Sequence, residues 1–158
     1  MNRWLKIFIA IAFFLALSGL YFFRDFVFVN ANGYMEYLRL IDGNEFAELV
    51  PNYTHSKMVA FFDGWEAPEI INFKWYMTFV FTAGFGIISF AALYTLRKNK
   101  LAFYIIWFYL VSFILAYLLS LFSYPVARSI IGLLHSPVPL LLMLTASYLE
   151  IKTNTEHG

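Results

Sequence analysis

The sequence predicts an all-α, polytopic integral membrane protein with four transmembrane helices. Composition, run length and charge placement each point there. Of 158 residues, 61% are hydrophobic and only 13% charged, whereas soluble domains carry about a quarter charged residues. A water-soluble fold of this size cannot hide that much apolar surface. Four apolar runs, at 7–23, 75–96, 101–122 and 126–149, each approach the roughly 20 residues needed to cross a hydrocarbon core. Charged side chains concentrate between the runs. Four spans consume about half the chain, which predicts one membrane domain over 1–158 with a single sizeable outer loop at 25–74.

Span one follows Arg3 and Lys6 and ends at the adjacent pair Arg24 and Asp25. A cleaved signal peptide is the competing reading, with Ala16 and Ser18 as the small residues before a cleavage site. The apolar run continues through Leu20, Tyr21, Phe22 and Phe23, which favours an uncleaved anchor. Only Arg97, Lys98, Asn99 and Lys100 separate spans two and three, and only Ser123, Tyr124 and Pro125 separate three and four. Links this short make spans two to four sequential antiparallel neighbours.

Lys and Arg are retained on the cytoplasmic side of short loops. With the N-terminus inside, Arg3, Lys6, Arg97, Lys98, Lys100 and Lys152 lie in the cytoplasm against Glu150 and Glu156. The outer loop then holds eight acids (Asp25, Glu36, Asp42, Glu45, Glu48, Asp63, Glu66, Glu69) and three bases (Arg39, Lys57, Lys74). Both termini are therefore expected in the cytoplasm, and a bacterial inner membrane is the expected location.

The loop is not a linker by composition. Aromatic and aliphatic clusters recur at 34–41 and 58–62, and disordered linkers lack such clusters. Short interfacial helices are the natural reading. Asn44 is a candidate N-cap for a helix over 45–50 that Pro51 ends, and Gly43 and Asp63-Gly64 mark turns. Asn52, Tyr53 and Thr54 match the glycosylation sequon, a triplet that arises often by chance.

Trp4 falls at the inner boundary and Trp65, Trp75 and Tyr76 at the outer one, where amphipathic rings favour the headgroup level. Trp107 lies inside span three and reads as a packing or lipid contact. Ala12 and Ala16 in span one, and Thr82 and Gly86 with nearby Gly84, Ser89 and Ala92 in span two, have the small-xxx-small spacing that lets helices approach closely. Packing inside the bundle is favoured over contact with a partner.

Span four carries the most chemistry. Arg128 and His135 are seven residues apart, which on a regular helix places them on one face with about 10 Å of rise between them. Arg128 can snorkel to phosphate headgroups, whereas His135 falls deep in the span, where an ionisable side chain is a functional candidate by default. The plainer role for His135 is a neutral imidazole bonded to a carbonyl or hydroxyl of a neighbouring span, and Pro137 and Pro139 each free a carbonyl one turn earlier.

Cysteine is absent, which excludes a catalytic thiol and any thiolate metal site. His55 and His157 lie in the loop and the tail and no acid lies inside a span, so neither a metal nor another cofactor is expected. A net charge of +1 gives no footprint for nucleic acid.

The order of a long outer loop, then Asn72, Phe73, Lys74, Trp75 and Tyr76 leading into span two, a basic turn, and Ala127-Arg128-Ser129-Ile130-Ile131-Gly132-Leu133-Leu134-His135-Ser136-Pro137 resembles the small exosortase-associated four-helix membrane proteins of Bacteroidota. Exosortases are polytopic transpeptidases or proteases that use Cys, Arg and His, so a chain without cysteine is not itself one. The resemblance implies a non-catalytic accessory subunit of an inner-membrane protein-sorting or envelope assembly complex, with membrane lipids and a polytopic membrane protein as partners. Arg128, His135, Arg24 and Asp25 are the expected contact residues. Two other classes remain: a small enzyme acting on a lipid or lipid-linked substrate through Arg128 and His135, and a structural subunit of a transporter, ranked last because no span carries an acid.

Overall fold

A computed structural model describes residues 3–42, 56–97 and 101–146, which are helical with no strand among them. The helices are α1 (Arg3–Ile41), α2 (Val59–Phe62), α3 (Ala67–Arg97), α4 (Leu101–Ser120) and α5 (Tyr124–Leu134), then α6 (Val138–Ala146). The all-α class is as expected. Three helices, α1, α3 and α4, are long and apolar enough to cross a membrane. The fourth apolar run is the pair α5 and α6, which meet at an angle of 60°.

The helices do not end where the apolar runs end. Span one was expected over 7–23 and a loop from residue 25, yet α1 runs unbroken through Arg24 and Asp25 to Ile41. Its 39 residues rise about 58 Å at 1.5 Å each, close to twice a ~30 Å hydrocarbon core. Likewise α3 starts at Ala67, eight residues before the expected boundary at 75, and its 31 residues rise about 46 Å. Charge terminates an apolar stretch, but it does not terminate a helix. Nothing between Arg24 and Asn32 breaks the i to i−4 ladder, and the Arg24 guanidinium lies over the Phe28 ring one turn on, 5.0 Å from its centroid. Segment 34–41, expected as a separate interfacial helix, is the end of α1. The cap at Asn44, the helix over 45–50, the sequon at 52–54 and His55 lie outside the described residues, as does the tail with Lys152 and His157.

The chain divides into two compact units, Met1–Tyr21 with Phe79–Gly158, and Phe22–Thr78. In the first, α3 buries Phe81, Thr82, Phe85, Ser89, Ala92 and Leu93, the i, i+3, i+4, i+7 spacing of one helix face. These meet Leu17 of α1, Ala102, Ile105 and Tyr109 of α4, Leu134 of α5 and Leu140 of α6. The small residues of α3 serve that packing. A Cβ added at Gly84 stands 3.1 Å from the Leu20 side chain, one at Gly86 stands 3.4 Å from the Tyr109 ring, and Ser89 Oγ lies 3.4 Å from the Tyr109 hydroxyl. Ala12 and Ala16 of α1 are exposed, so the small residues of span one do not pack inside this unit. Trp107 is exposed on α4, as are Phe103, Tyr104 and Leu110, in keeping with contact to lipid.

The second unit is an aromatic cluster held between the end of α1 and the start of α3. Ala31, Tyr34, Phe62 and Ile70 form its centre, with Met58, Trp65 and Phe73 against them. Phe62 is fully buried and contacts the Tyr34, Trp65 and Phe73 rings at centroid distances of 5.5 Å each. The returning chain is fastened by Asn30, which is buried. Its amide donates to the Phe26 carbonyl at 2.7 Å and its side-chain oxygen accepts from the Lys57 backbone N–H. Gly64 takes a left-handed φ of 77°, confirming the Asp63-Gly64 turn. The Glu66 N–H then donates to the Glu69 carboxylate at 2.8 Å, supplying one of the donors that a helix start leaves open.

Phe62→Ala is expected to remove about 3–5 kcal/mol from this cluster. Trp emission, followed through denaturation in detergent, should then report loss of the second unit before the first.

Candidate functional site

The break between α5 and α6 is the most polar point of the apolar bundle. Hydrocarbon offers no water to unpaired backbone groups, so an interruption there needs local partners. Pro137 has no N–H and frees the Leu133 carbonyl one turn earlier. Ser136 takes that carbonyl twice, through its backbone N–H at 3.2 Å and its hydroxyl at 2.7 Å. The same hydroxyl accepts from the Val138 N–H at 3.3 Å. Downstream, Leu141 N–H reaches the Pro137 carbonyl at 3.1 Å and α6 is under way. Pro139 sits in its first turn, where a missing N–H costs nothing.

His135 caps α5. Its backbone N–H bonds to the Ile131 carbonyl at 3.0 Å, but its ψ of 27° departs from the helical value near −42°. The side chain turns into the bundle and is fully buried. Nε2 lies 2.8 Å from Thr82 Oγ1 of α3, a hydroxyl able to donate or accept as the tautomer requires. The imidazole stacks on Phe85, with centroids 5.5 Å apart and planes at 17°, and stands edge-on to Phe81 at 6.3 Å. The plainer role is therefore the one built: a hydroxyl of a neighbouring helix holds the imidazole.

Arg128 does not share this environment. It lies on α5 with an exposed side chain, whereas the His135 side chain is fully buried. The helix ends at Leu134, yet the His135 N–H still bonds to the Ile131 carbonyl, so the seven-residue spacing keeps its register while the two side chains differ in exposure.

Arg24 and Asp25 belong to the second unit. Arg24 NH1 is 4.0 Å from the Asp25 carboxylate, whose side chain is 55% exposed. The Arg24 side chain is largely covered, and its Nε is shielded without a hydrogen-bond partner. Folded over Phe28, this guanidinium is held as a boundary anchor rather than an open two-pronged anion fork. Among the described residues no group of three His, Cys, Asp or Glu can hold a metal ion. Thr82, the residue that sequence reasoning missed as His135's partner, carried one usable signal: a hydroxyl within the small-residue stripe of span two.

No protein-family model, curated protein or solved structure matches the chain.

Thr82→Val removes the hydroxyl and leaves His135 Nε2 in an apolar site, which should cost about 1–3 kcal/mol. Adding His135→Phe to it should recover much of that loss, because an apolar pair of similar shape leaves nothing unpaired. Thermal unfolding of the two single variants and the double variant in detergent gives the coupling.

Proposed function

We propose that the chain is a non-catalytic accessory subunit of a bacterial inner-membrane protein-sorting or envelope assembly complex. It crosses the membrane four times, and both termini lie in the cytoplasm. The observation that carries the non-catalytic part is the closure of His135. The His135 side chain is fully buried and bonded to Thr82 of α3. A proton-transfer residue must reach its substrate within about 3 Å or through one water, and this imidazole is walled by Phe81 and Phe85 instead.

The shape of the last pair supports the reading of four crossings. A 60° bend leaves α6 advancing in the same general direction as α5, whereas a re-entrant loop must reverse. Eleven residues of α5 and the residues 138–146 of α6, at 1.5 Å each, then advance about 26 Å before the linking residues are added, close to the hydrocarbon thickness of about 30 Å. With an even number of crossings, Arg3 and Lys6 fall on the same side as the basic 97–100 turn. The stretch 25–74, with its eight acids in sequence, is then expected outside, and Arg128, Arg24 and Asp25 serve as contacts for headgroups or a partner. The assignment to a sorting complex rests on the residue runs 72–76 and 127–137 alone.

Purification from native membranes in mild detergent is expected to recover the chain with a polytopic membrane protein in near-stoichiometric amount, and Asp25→Ala with Arg128→Ala to lower that yield without lowering the amount of folded chain. A stable monomer with no partner would contradict the proposal.

A further inference from the structure

One open depression of about 380 Å³ lies in the second unit, lined by Trp65, Glu69, Asn72, Phe73 and Tyr76. Its floor and walls follow from helical spacing. Glu69, Asn72, Phe73 and Tyr76 stand at i, i+3, i+4 and i+7 on α3, one face of the helix, and Trp65 reaches over from the turn that precedes it. Trp65 and Phe73 meet at 82° with centroids 5.7 Å apart, so two aromatic surfaces form a corner. Tyr76 is 66% exposed and supplies the third ring.

We propose that this depression binds the ammonium headgroup of a zwitterionic phospholipid. Aromatic faces attract cations through their quadrupole, and quaternary ammonium groups are the ligands such cages suit best. Glu69 is the only ionisable carboxylate among the lining residues, so charge complementarity favours a cation and disfavours an anionic headgroup. One Glu69 oxygen accepts from the Glu66 N–H at 2.8 Å, which fixes the carboxylate's position at the start of α3. Asn72 adds an amide N–H able to donate to the phosphate that neighbours the ammonium group. The lining residues lie just before and at the start of the apolar run 75–96, the position along α3 at which headgroups meet the span, and Trp and Tyr favour that level. The three rings and the carboxylate go beyond the accessory role above, since the site selects lipid whether or not a protein partner is present.

The test is native mass spectrometry of the full chain in nonionic detergent with equimolar dioleoyl phosphatidylcholine and dioleoyl phosphatidylglycerol. The wild type is expected to retain phosphatidylcholine preferentially. Glu69→Gln and Tyr76→Ala should each lower the ratio of phosphatidylcholine to phosphatidylglycerol about fivefold, the equilibrium equivalent of one partly exposed cation–π contact. Both variants spare the fold: Gln keeps an oxygen to accept the Glu66 N–H, and Tyr76 stands mostly in the open, so unchanged melting temperatures accompany the shift. A wild-type ratio at or below one, a ratio unchanged in either variant, or capture of free choline without bound phosphatidylcholine overturns the assignment.

Discussion

The helical bundle of this chain answers to one constraint: hydrocarbon supplies no hydrogen-bond partner, so backbone N–H and C=O groups must be paired within the protein. Helix is the economical solution, and the described residues are helical apart from short turns. Where the helix is interrupted, at 135–137, substitutes stand within reach. Ser136 occupies the carbonyl freed by Pro137, and His135 spends its side chain on Thr82. The break is thus an arranged bend in which Ser136 and the His135 Nε2 have partners while the buried His135 Nδ1 has no hydrogen-bond partner, and it joins the last two helices to α3.

The same reasoning separates the two units by what holds them. In the first, apolar side chains bring no hydrophobic gain over lipid, so close approach and a few interhelical polar contacts must do the holding. Gly84 against Leu20, Gly86 against Tyr109 and the Thr82–His135 bond are those contacts. In the second, a fully buried Phe62 ringed by Tyr34, Trp65 and Phe73 forms a core of the kind that water drives together. Asn30 and Lys57 then tie the returning chain to α1. Distinct forces acting on one continuous pair of helices explain why contacts cluster on either side of residues 22 and 78.

The all-α class, the apolar runs and the turn at Gly64 were legible in the sequence because hydropathy and glycine report directly on solvent and φ. The helix ends were not. Arg24 and Asp25 mark where apolar character stops, and hydropathy carries no information about a helix that continues into a polar region. The site was legible in part. His135 stood out as an ionisable residue in an apolar run, and a hydroxyl partner on a neighbouring span was among its expected roles. The contrast between an exposed Arg128 and a buried His135 was hidden, because a seven-residue spacing reports a common face and not what packs against each end of it. The depression at Trp65, Glu69 and Phe73 was hidden by the late start assigned to span two, which left its residues scattered along a loop rather than on one helix face.

The proposed accessory role asks for a membrane anchor with a packed interior, and the buried His135 bonded to Thr82 is consistent with that demand. The central claim is that α5 and α6 together complete a fourth crossing. The natural chain has no cysteine, so single introduced thiols report their side of the membrane without background. In spheroplasts treated with a membrane-impermeant maleimide, Asp63→Cys should label at once and His157→Cys only after permeabilisation. Labelling of His157→Cys in intact spheroplasts would place the C-terminus outside and show that the bent pair does not cross.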